Sequence, residues 1–511
     1  MSLTYFYPWA YLAAFLGLLG WTLFKDRRSL AGLFRSLFLL GFVSWILVLV
    51  GSEGSNPYKL TVIFRDLLVL GIAATLLGRA RSNMIVGLAF LIGASLFIQQ
   101  FYLPILKSTF GKSIIDLDPD GELLLELDGE AEITSLEAIL AAYDAEIHSI
   151  FDPQDRDVTD LDDYYIVDVP THRISDLAEL KVQLQESPQV DWVENNEMIQ
   201  IDPLETTTKE NRGKPVGVND PQAIHQWAFE ALEITDLHQL LHDKKIKSEK
   251  TALVAVLDTG VDGKHEDLQT NYRSLDPKFD RDGNGHGTHV AGIVAATTNN
   301  GIGVASMIAD EKRVEVTSIK VLSDVGFGSQ AKIIQGMILA ADMGADVVSM
   351  SLGGPSTDTK QEAYRKAVAY CADKGAIVVV AAGNASINAK TYAPANTPGV
   401  IVVTAINDKL QKATFSNEVQ DLTFGVAAPG EDIMSTFPKN QYRSFKGTSM
   451  AAPYVSSMVA ILKSIDPKLT TDRIYEILHQ SGKDTDQVRR TGKIIQPVAA
   501  VNQLLTSKLD S

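Results

Sequence analysis

Long apolar runs dominate the N-terminal part of the chain. They cover residues 5–24, 30–50, 60–77 and 84–106. Each run is close to the ~20 residues that an α-helix needs to cross the hydrocarbon core of a bilayer. Positive residues follow the first run, and three more runs come after it, which is not the pattern of a cleaved signal peptide. The pattern predicts an all-α region of four transmembrane helices over residues 1–110.

Basic residues in the loops between these runs predict their orientation. The first and third loops hold Lys25, Arg27, Arg28, Arg79 and Arg81, whereas the second loop holds a single lysine. Loops rich in Lys and Arg stay in the cytoplasm. With four spans, the N-terminus and everything after the last run are therefore predicted to be extracytoplasmic, either periplasmic or extracellular.

A different spacing of apolar residues begins at residue 113 and continues to residue 200. The segments ELLLEL, IHSIF, YYIVDVP and VDWVENNEMIQI predict strands, while SLEAILAAYDAE and SDLAELKVQLQES have the helical period. The resulting β-α-β-β-α-β order is typical of a ferredoxin-like α+β module. Residues 201–218 are polar, contain two prolines and lack periodicity, so they predict an exposed linker.

Near-continuous apolar strands alternate with helical segments from residue 219 to residue 511. The strands are ALVAVLDTG, VEVTSIKVL, ADVVSMSLG, AIVVVAAGN and GVIVVTAI. Strands that are apolar on both faces predict an α/β fold, with a parallel doubly wound sheet covered by helices on each side. Ligands bind such sheets at the carboxyl ends of the strands, where the functional site is expected.

Charge is distributed unevenly along the chain. The net charge is -17, yet residues 113–200 alone hold 24 Asp and Glu against 3 Lys and Arg, a net of -21. Residues 1–112 carry +7 and the remainder -3. No Lys/Arg-rich face is evident, which excludes nucleic acid as an expected partner. The near-neutral remainder also predicts no strong general attraction to the acidic segment.

The single cysteine, Cys371, excludes an intramolecular disulfide and a multi-cysteine zinc site. It lies in the amphipathic segment EAYRKAVAYCADKG, which favours a buried apolar role over a reactive one.

Three polar residues occupy positions suited to nucleophilic catalysis. Asp258 ends the strand ALVAVLDTG, His286 lies between two glycines in GNGHGTHVAGIVAA, and Ser449 lies in a GTS turn before an apolar helix. A serine nucleophile needs a base, a carboxylate that orients the base, and donors for the developing oxyanion. The helix start would direct the Ser449 N–H toward a reacting carbonyl. Taken singly, the aspartate also fits a turn and the serine an N-cap.

Taken together, VLDTGVDGKHEDL, NGHGTHVAGIVAA and GTSMAAP resemble the three signature motifs of the subtilisin-like serine proteases. Their order, Asp then His then Ser, differs from the chymotrypsin and α/β-hydrolase orders. The resemblance extends from about residue 219 to residue 505. It implies a serine endopeptidase with Asp258, His286 and Ser449 as its triad, and with Asn384 of AAGN as a side-chain donor to the oxyanion.

The acidic segment also takes part in this resemblance. Its closing VDWVENNEMIQI is similar to the last strand of the family's prosegment. Residues 113–200 are therefore expected to be an inhibitory and chaperone prosegment that acts on its own catalytic domain. The linker of residues 201–218 is expected to carry the processing site.

The same resemblance implies two substrate-binding segments. Ser351, Leu352 and Gly353 match one of them, and Gly326 and Gly328 belong to the opposing one. A peptide substrate would add between them as a strand, bound mainly through its backbone. Protein or peptide substrates of broad sequence are therefore expected.

A structural calcium site is a further implication of the resemblance. The ligands expected from the family pattern are the side chains of Asp220, Asp267 and Asn300 and the carbonyls of Thr297, Ile302 and Val304. Ligands that are all oxygen suit Ca²⁺. The alternative is that Asp267 caps a turn and that the Asn-Asn-Gly sequence is a simple tight turn. The nearby DRDGNG resembles half of a calcium loop but lacks the downstream glutamate, so a turn is predicted there.

Two classes of function fit these patterns. The first is a membrane-anchored serine endopeptidase that hydrolyses proteins on the extracytoplasmic side. The alternative is a catalytically idle, membrane-bound protein that uses the same groove to hold peptides. The three triad residues and the oxyanion donor Asn384 are all present in the chain, which favours the enzyme.

Overall fold

The computed structural model describes residues 7–51, 117–129, 131–201, 204–205, 217–309, 313–356 and 361–509, together with five positions between residues 63 and 70. The chain divides into two compact units, Met1–Ile115 and Asp116–Ser511.

The first unit contains two described apolar helices, α1 (Tyr7–Leu23) and α2 (Arg28–Gly51). They share a buried aromatic cluster, in which the ring centroids of Tyr11 and Trp45 are 6.0 Å apart. Within the described residues, Arg28–Val48 alone is long and apolar enough to cross a membrane, and a signal sequence passes the same test. The third and fourth predicted spans lie outside the described residues except for five positions, so the four-span region stays a prediction.

The second unit begins with residues 117–201, named here the α+β module. Its elements are β1 (Leu123–Leu127), α3 (Glu137–Ala142), β2 (Glu146–Ser149), β3 (Tyr164–Asp168), α4 (Leu177–Gln185) and β4 (Val190–Asn195). They follow one another as β-α-β-β-α-β, and the antiparallel sheet has the order β2-β3-β1-β4. Leu123, Leu125 and Leu127 of β1 form its core with leucines of both helices, because alternate residues of a strand point to the same face.

Residues 217–509 form the sheet domain, built on a parallel sheet of seven strands. The strands are β7 (Ala252–Asp258), β8 (Val314–Lys320), β10 (Val347–Met350), β12 (Ile377–Ala381), β14 (Ile401–Ile406), β15 (Gly425–Pro429) and β18 (Lys493–Ile494). Their order in the sheet is β18-β15-β14-β12-β10-β7-β8. The prediction of an α/β fold with a parallel sheet is confirmed.

Helices cover both faces of this sheet. They are α5 (Ala228–Ala231), α6 (Ile234–Asp243), α7 (His286–Ala295), α8 (Gln330–Asp342), α9 (Glu362–Asp373), α10 (Thr448–Ile465), α11 (Thr471–Ser481), α12 (Val488–Thr491) and α13 (Pro497–Leu509). Successive residues of β7 point to opposite faces, so Val254 and Val256 pack with α7 and α10, whereas Ala255 and Leu257 pack with α8. All eighteen residues of α10 are buried.

Short strands that lie outside the parallel sheet complete the described fold. They are β5 (Met198–Gln200), β6 (Leu204–Glu205), β9 (Phe327–Ser329), β11 (Gly354–Pro355), β13 (Tyr392–Ala393), β16 (Ile433–Phe437) and β17 (Gln441–Lys446). Leu124, Phe151 and Tyr164 of the α+β module belong to the same buried cluster as residues of α8 and α9. The module and the sheet domain are therefore packed on one another.

Candidate active site

Asp258 and His286 form a buried, hydrogen-bonded pair. Asp258 is the last residue of β7, a strand whose seven residues are all buried, and His286 is the first residue of α7. The Nδ1 atom of His286 lies 2.8 Å from Oδ1 and 2.9 Å from Oδ2 of Asp258. Gly285, with φ of 106°, lets the chain turn into the helix, and a Cβ there would lie 2.0 Å from the Phe437 ring.

The surroundings of His286 favour its protonated form. Burial by itself lowers the pKa of this imidazole, but the charge of Asp258, the hydrogen bond to Asp258 and the charge of Asp282 outweigh burial. The pKa of His286 is therefore raised above its usual value. A ring of this kind can accept a proton in a buried site.

Ser449 is the second residue of α10 and is buried. Its hydroxyl donates to the carbonyl of Ser351 at 3.0 Å, and the Ser351 hydroxyl donates to the carbonyl of Ser449 at 2.8 Å. Among the described residues, no hydrogen bond joins Ser449 to His286. The structure thus brings the aspartate and the histidine together, and leaves the serine hydroxyl turned toward Ser351.

Asn384 and the start of α10 provide two donors on one side of Ser449. The Asn384 Oδ1 atom accepts from the Thr448 N–H at 2.8 Å and from the Thr448 hydroxyl at 3.0 Å. A Cβ placed on Gly447 would lie 3.4 Å from Asn384 Nδ2 and 3.6 Å from the Ser449 nitrogen. Both nitrogens therefore lie within 4 Å of one point beside Gly447, an arrangement compatible with the oxyanion site that the family resemblance implies.

Sequence reasoning missed the part that Thr448 plays in this arrangement. Its hydroxyl accepts from the Gly383 N–H at 3.0 Å while donating to Asn384. Because Oδ1 of Asn384 is held in this way, its amide NH₂ faces the opposite direction. A hydroxyl directly before Ser449 in the GTS motif was the available signal.

Strand β5 of this same chain pairs with one predicted substrate-binding segment and lies next to Gly354, the residue that follows the other segment. Strand β5 pairs antiparallel with β9, with Ile199 opposite Gly328, and the Ile201 N–H donates to the Gly326 carbonyl at 3.0 Å. On the other side, a Cβ on Gly354 would lie 3.6 Å from the Ile199 side chain. The end of the α+β module thus lies in the predicted groove.

Beyond this groove, the described chain resumes at strand β6. Strand β6 pairs antiparallel with β17, with Leu204 opposite Lys446, three residues before Ser449. Ile201 therefore bonds to the segment of Gly326, and Leu204 pairs with the strand that precedes α10.

The residues expected around calcium lie together at one loop. Asp220 accepts from the backbone N–H groups of Asn299 at 2.8 Å and Asn300 at 3.3 Å. Asp267 accepts from the Asn300 side chain at 2.7 Å and from the Val304 N–H at 2.8 Å. Oδ1 of Asn300 accepts from the Ile302 N–H at 2.8 Å, so its amide must turn before that oxygen can coordinate an ion.

The electrostatics of this loop suit a cation. Burial raises the pKa of Asp267 to about 7, and the charge of Asp220 contributes in the same direction. Burial also raises the pKa of Asp220. The Thr297 hydroxyl is buried and has no hydrogen-bond partner in the described structure. Among the residues that the structure describes, no group of three His, Cys, Asp or Glu side chains could hold a metal ion. A calcium site here would therefore also need amide and carbonyl oxygens.

Two further expectations concern Asp282 and Cys371. The DRDGNG segment forms the predicted turn, but the sequence did not indicate that its Asp282 carboxylate is buried and accepts hydrogen bonds on both sides of the Asp258–His286 pair.

The Cys371 thiol is buried, and burial raises its pKa to about 12. A thiol with that pKa is unreactive at neutral pH.

Comparisons with known proteins identify the family. The Subtilase family model matches residues 249–493. The chain is 41% identical over 216 residues to the Thermophilic serine proteinase of Bacillus sp. (strain AK1), covering 41% of this chain and 52% of that protein. It is 37% identical over 258 residues to Subtilisin DY of Bacillus licheniformis, covering 49% and 90%. It is 39% identical over 222 residues to Thermitase of Thermoactinomyces vulgaris, covering 42% and 75%.

A solved structure agrees with these relatives. A protease from Pseudoalteromonas arctica superposes with a TM-score of 0.50 and 28% identity, covering 56% of this chain and 99% of that one. The chain spans about half the length of the Bacillus sp. relative and most of the length of Subtilisin DY and Thermitase. The chain therefore belongs to the subtilase family and is a subtilisin-like serine endopeptidase.

Proposed function

We propose that this protein is a membrane-anchored serine endopeptidase that hydrolyses proteins on the extracytoplasmic side of a membrane, with Asp258, His286 and Ser449 as its triad and Asn384 as an oxyanion donor. The observation that carries the proposal is the buried Asp258–His286 hydrogen bond at 2.8 Å, in which His286 begins a helix that packs against α10, the helix of Ser449. The anchor is supported by the apolar helix Arg28–Val48, and the orientation by the lysines and arginines of the loops.

Catalysis begins when the Ser449 side chain rotates from the Ser351 carbonyl toward Nε2 of His286. The imidazole takes the hydroxyl proton, and the oxygen attacks the substrate carbonyl carbon. Asp258 keeps the proton-bearing Nδ1 oriented and stabilises the imidazolium. Hydrogen bonds of this kind tighten when substrate binds, so the apo orientation of Ser449 is compatible with the mechanism.

Charge then develops on the carbonyl oxygen. The Ser449 N–H and the Asn384 side-chain amide donate to it. Loss of the side-chain donor lowers turnover about 10²- to 10³-fold, a value borrowed from a subtilisin, a member of this family. His286 next protonates the leaving amine, and water attacks the acyl-enzyme by the same steps in reverse.

The α+β module is proposed as an inhibitory prosegment. Besides placing β5 in the groove, it supplies acceptors to the N-termini of two helices of the sheet domain. The carbonyl of Glu197 accepts from the Gln330 N–H at 2.9 Å, and the Asn196 side chain accepts from the Ala331 N–H at 3.0 Å, both at α8. The Glu194 carboxylate accepts at 2.7 Å from the N–H of the first residue of α9. Acceptors and negative charge are stabilising at helix N-termini.

Two lysines add to this interface. Lys366 pairs with Glu126 and, at 3.0 Å, with Asp160, while Lys374 pairs with Asp155 at 2.9 Å. The net charges of the α+β module and the sheet domain predicted little attraction between them, because a net charge does not show individual ion pairs such as these. The contacts support slow release of the module after the linker is cut.

A calcium ion is proposed at the loop of residues 297–304. It would be held by the side chains of Asp220, Asp267 and Asn300 and by the carbonyls of Thr297, Ile302 and Val304. When bound, the ion would cross-link this loop to the start of the domain and would offset the cost of burying the Asp267 carboxylate. It supplies no step of the reaction.

Ser449→Ala in the full-length chain tests the function. Wild-type membranes should hydrolyse peptide substrates and convert the chain into a membrane fragment ending between residues 201 and 218 and a soluble fragment. The variant should do neither and should stay one folded, full-length membrane species, because only the nucleophile is lost. Equal hydrolysis by both proteins would refute the assignment. An idle peptide-binding protein would bind peptides in both forms and cleave them in neither.

A further inference from the structure

A buried carboxylate lies between the two elements that carry Asp258 and His286. Asp282 is 8% exposed and accepts five hydrogen bonds. Its Oδ1 atom accepts from the Thr259 hydroxyl at 2.9 Å and from the N–H groups of Asn284 at 3.0 Å and Gly285 at 2.8 Å. Its Oδ2 atom accepts from Thr288, at 2.9 Å from the N–H and 2.7 Å from the hydroxyl. A carboxylate satisfied in this way is held in one orientation.

These donors belong to the backbone segments on either side of the catalytic pair. Thr259 directly follows Asp258, and its N–H donates to Asp258 Oδ1 at 2.7 Å. Thr288 lies in the first turn of α7, the helix that begins at His286. The Asp282 carboxylate therefore connects the end of strand β7 to the start of helix α7.

We propose that Asp282 is a positioning residue of the peptidase reaction, which holds His286 at hydrogen-bond distance from Asp258 and adds a second negative charge near the imidazolium. This inference rests on the proposed function of the Asp258–His286 pair. All five contacts of the Asp282 carboxylate are to protein groups other than the reacting atoms, so it acts through its neighbours.

Several charged or titratable groups surround His286. Asp258 faces it from β7 and Asp282 from the preceding loop, while His289 lies one turn further along α7. Lys320, at the end of β8, contacts the carbonyl of the residue after Asp258. Two carboxylates thus oppose the effect of burial on the imidazole. Removing the charge of Asp282 leaves Asp258 alone to do so.

Asp282→Asn in the full-length chain tests the proposal. The substitution keeps the size of the side chain but removes its charge and places an amide NH₂ against N–H and O–H donors. We expect kcat to fall about 10- to 100-fold and KM to stay within about twofold, because the substrate-binding segments are elsewhere. The midpoint of the acid limb of the kcat/KM pH profile should fall by about one pH unit, since one of the two negative charges near His286 is lost.

Asp280→Asn is the matched control. It removes the same charge from the same loop, but the Asp280 carboxylate accepts from the hydroxyls of Tyr272, at 2.7 Å, and Ser274, at 2.5 Å, rather than from the catalytic elements. Its kcat and pH profile should match those of the wild type. Equal losses in the two variants would overturn the proposal, because they would reflect general charge removal.

A second measurement does not depend on activity. In a Ser449→Ala background, NMR titration of the His286 imidazole should give a lower pKa when Asp282 is changed to Asn. If that variant does not fold, Thr259→Val, which removes one of the five donors, should lower kcat at unchanged KM. An inactive wild type would refute the proposed function, and the titration would still decide on Asp282. Unchanged kcat, pH profile and imidazole pKa would overturn the inference.

Discussion

Glu194 offers the most direct test of how the α+β module inhibits the sheet domain. Its carboxylate is 1% exposed and accepts from Gln330, from the Trp192 indole at 2.7 Å and from the N–H of Glu362 at 2.7 Å. A hydrogen bond to a charged group contributes about 1.5 to 3 kcal/mol. A charge at a helix N-terminus contributes about 0.3 to 2 kcal/mol, and the two contributions are not added because the same contact makes both. Glu194→Ala should therefore weaken the hold of the module on the sheet domain by about 2 to 3 kcal/mol, or about 30- to 150-fold.

The assay compares two hydrolysis rates of a fluorogenic peptide by the full-length protein. The initial rate reports the fraction of enzyme whose groove is free, and the final rate, after the module has been degraded, reports the total. Their ratio should rise about 30- to 150-fold in Glu194→Ala, up to the limit of complete release. The ratio for Glu194→Gln should lie between those of the wild type and Glu194→Ala, because glutamine keeps a hydrogen-bond acceptor but loses the charge.

Glu146→Ala is the control for this experiment. Glu146 is exposed on the same module, where it pairs with His148 at 3.5 Å. A pair exposed on the surface contributes about 0 to 1 kcal/mol. The control should leave the ratio of rates unchanged. The reasoning is refuted if Glu194→Ala also leaves the ratio unchanged while the final rate equals that of the wild type.

The remaining predictions concern pH, calcium and topology. Because the pKa of His286 is raised and the reaction needs its neutral form, kcat/KM should fall on acidification with a midpoint above about 6.5, and a midpoint below that value would contradict the electrostatics. Chelation should lower the thermal midpoint of the wild type, because an ion at 100 times its Kd adds about 2.7 kcal/mol to the free energy of unfolding. Asp267→Asn should abolish this sensitivity to chelator. A wild-type midpoint that does not change with chelator would refute the calcium site. A cysteine introduced at the exposed Lys409, in a Cys371→Ala background, should react with an impermeant maleimide in intact cells, and reaction only after lysis would reverse the predicted orientation.

Local pattern was sufficient to predict the parallel sheet, whereas the triad residues and Asn384 were predicted from the resemblance of their motifs to a known family. Strands buried on both faces are apolar at nearly every position, as in the segment ending at Asp258, and this signal does not depend on distant residues. Motifs such as GNGHGTH and GTSMAAP combine a reactive side chain with the turn that presents it. For that reason the Asp258–His286 pair and the position of Ser449 could be predicted before any distance was known.

Other features depended on residues far apart in the chain. The acidic composition of the α+β module did not indicate that Glu194 would contact the N-terminus of α9, because that contact joins positions 168 residues apart. The DRDGNG segment indicated a turn, whereas the role inferred for Asp282 depends on Thr259 and Thr288 reaching the same carboxylate from two elements. Periodicity encodes which residues are buried, since burial follows the local geometry of each helix or strand. Which buried polar groups satisfy one another is decided only when the packed elements bring their donors and acceptors within hydrogen-bond distance.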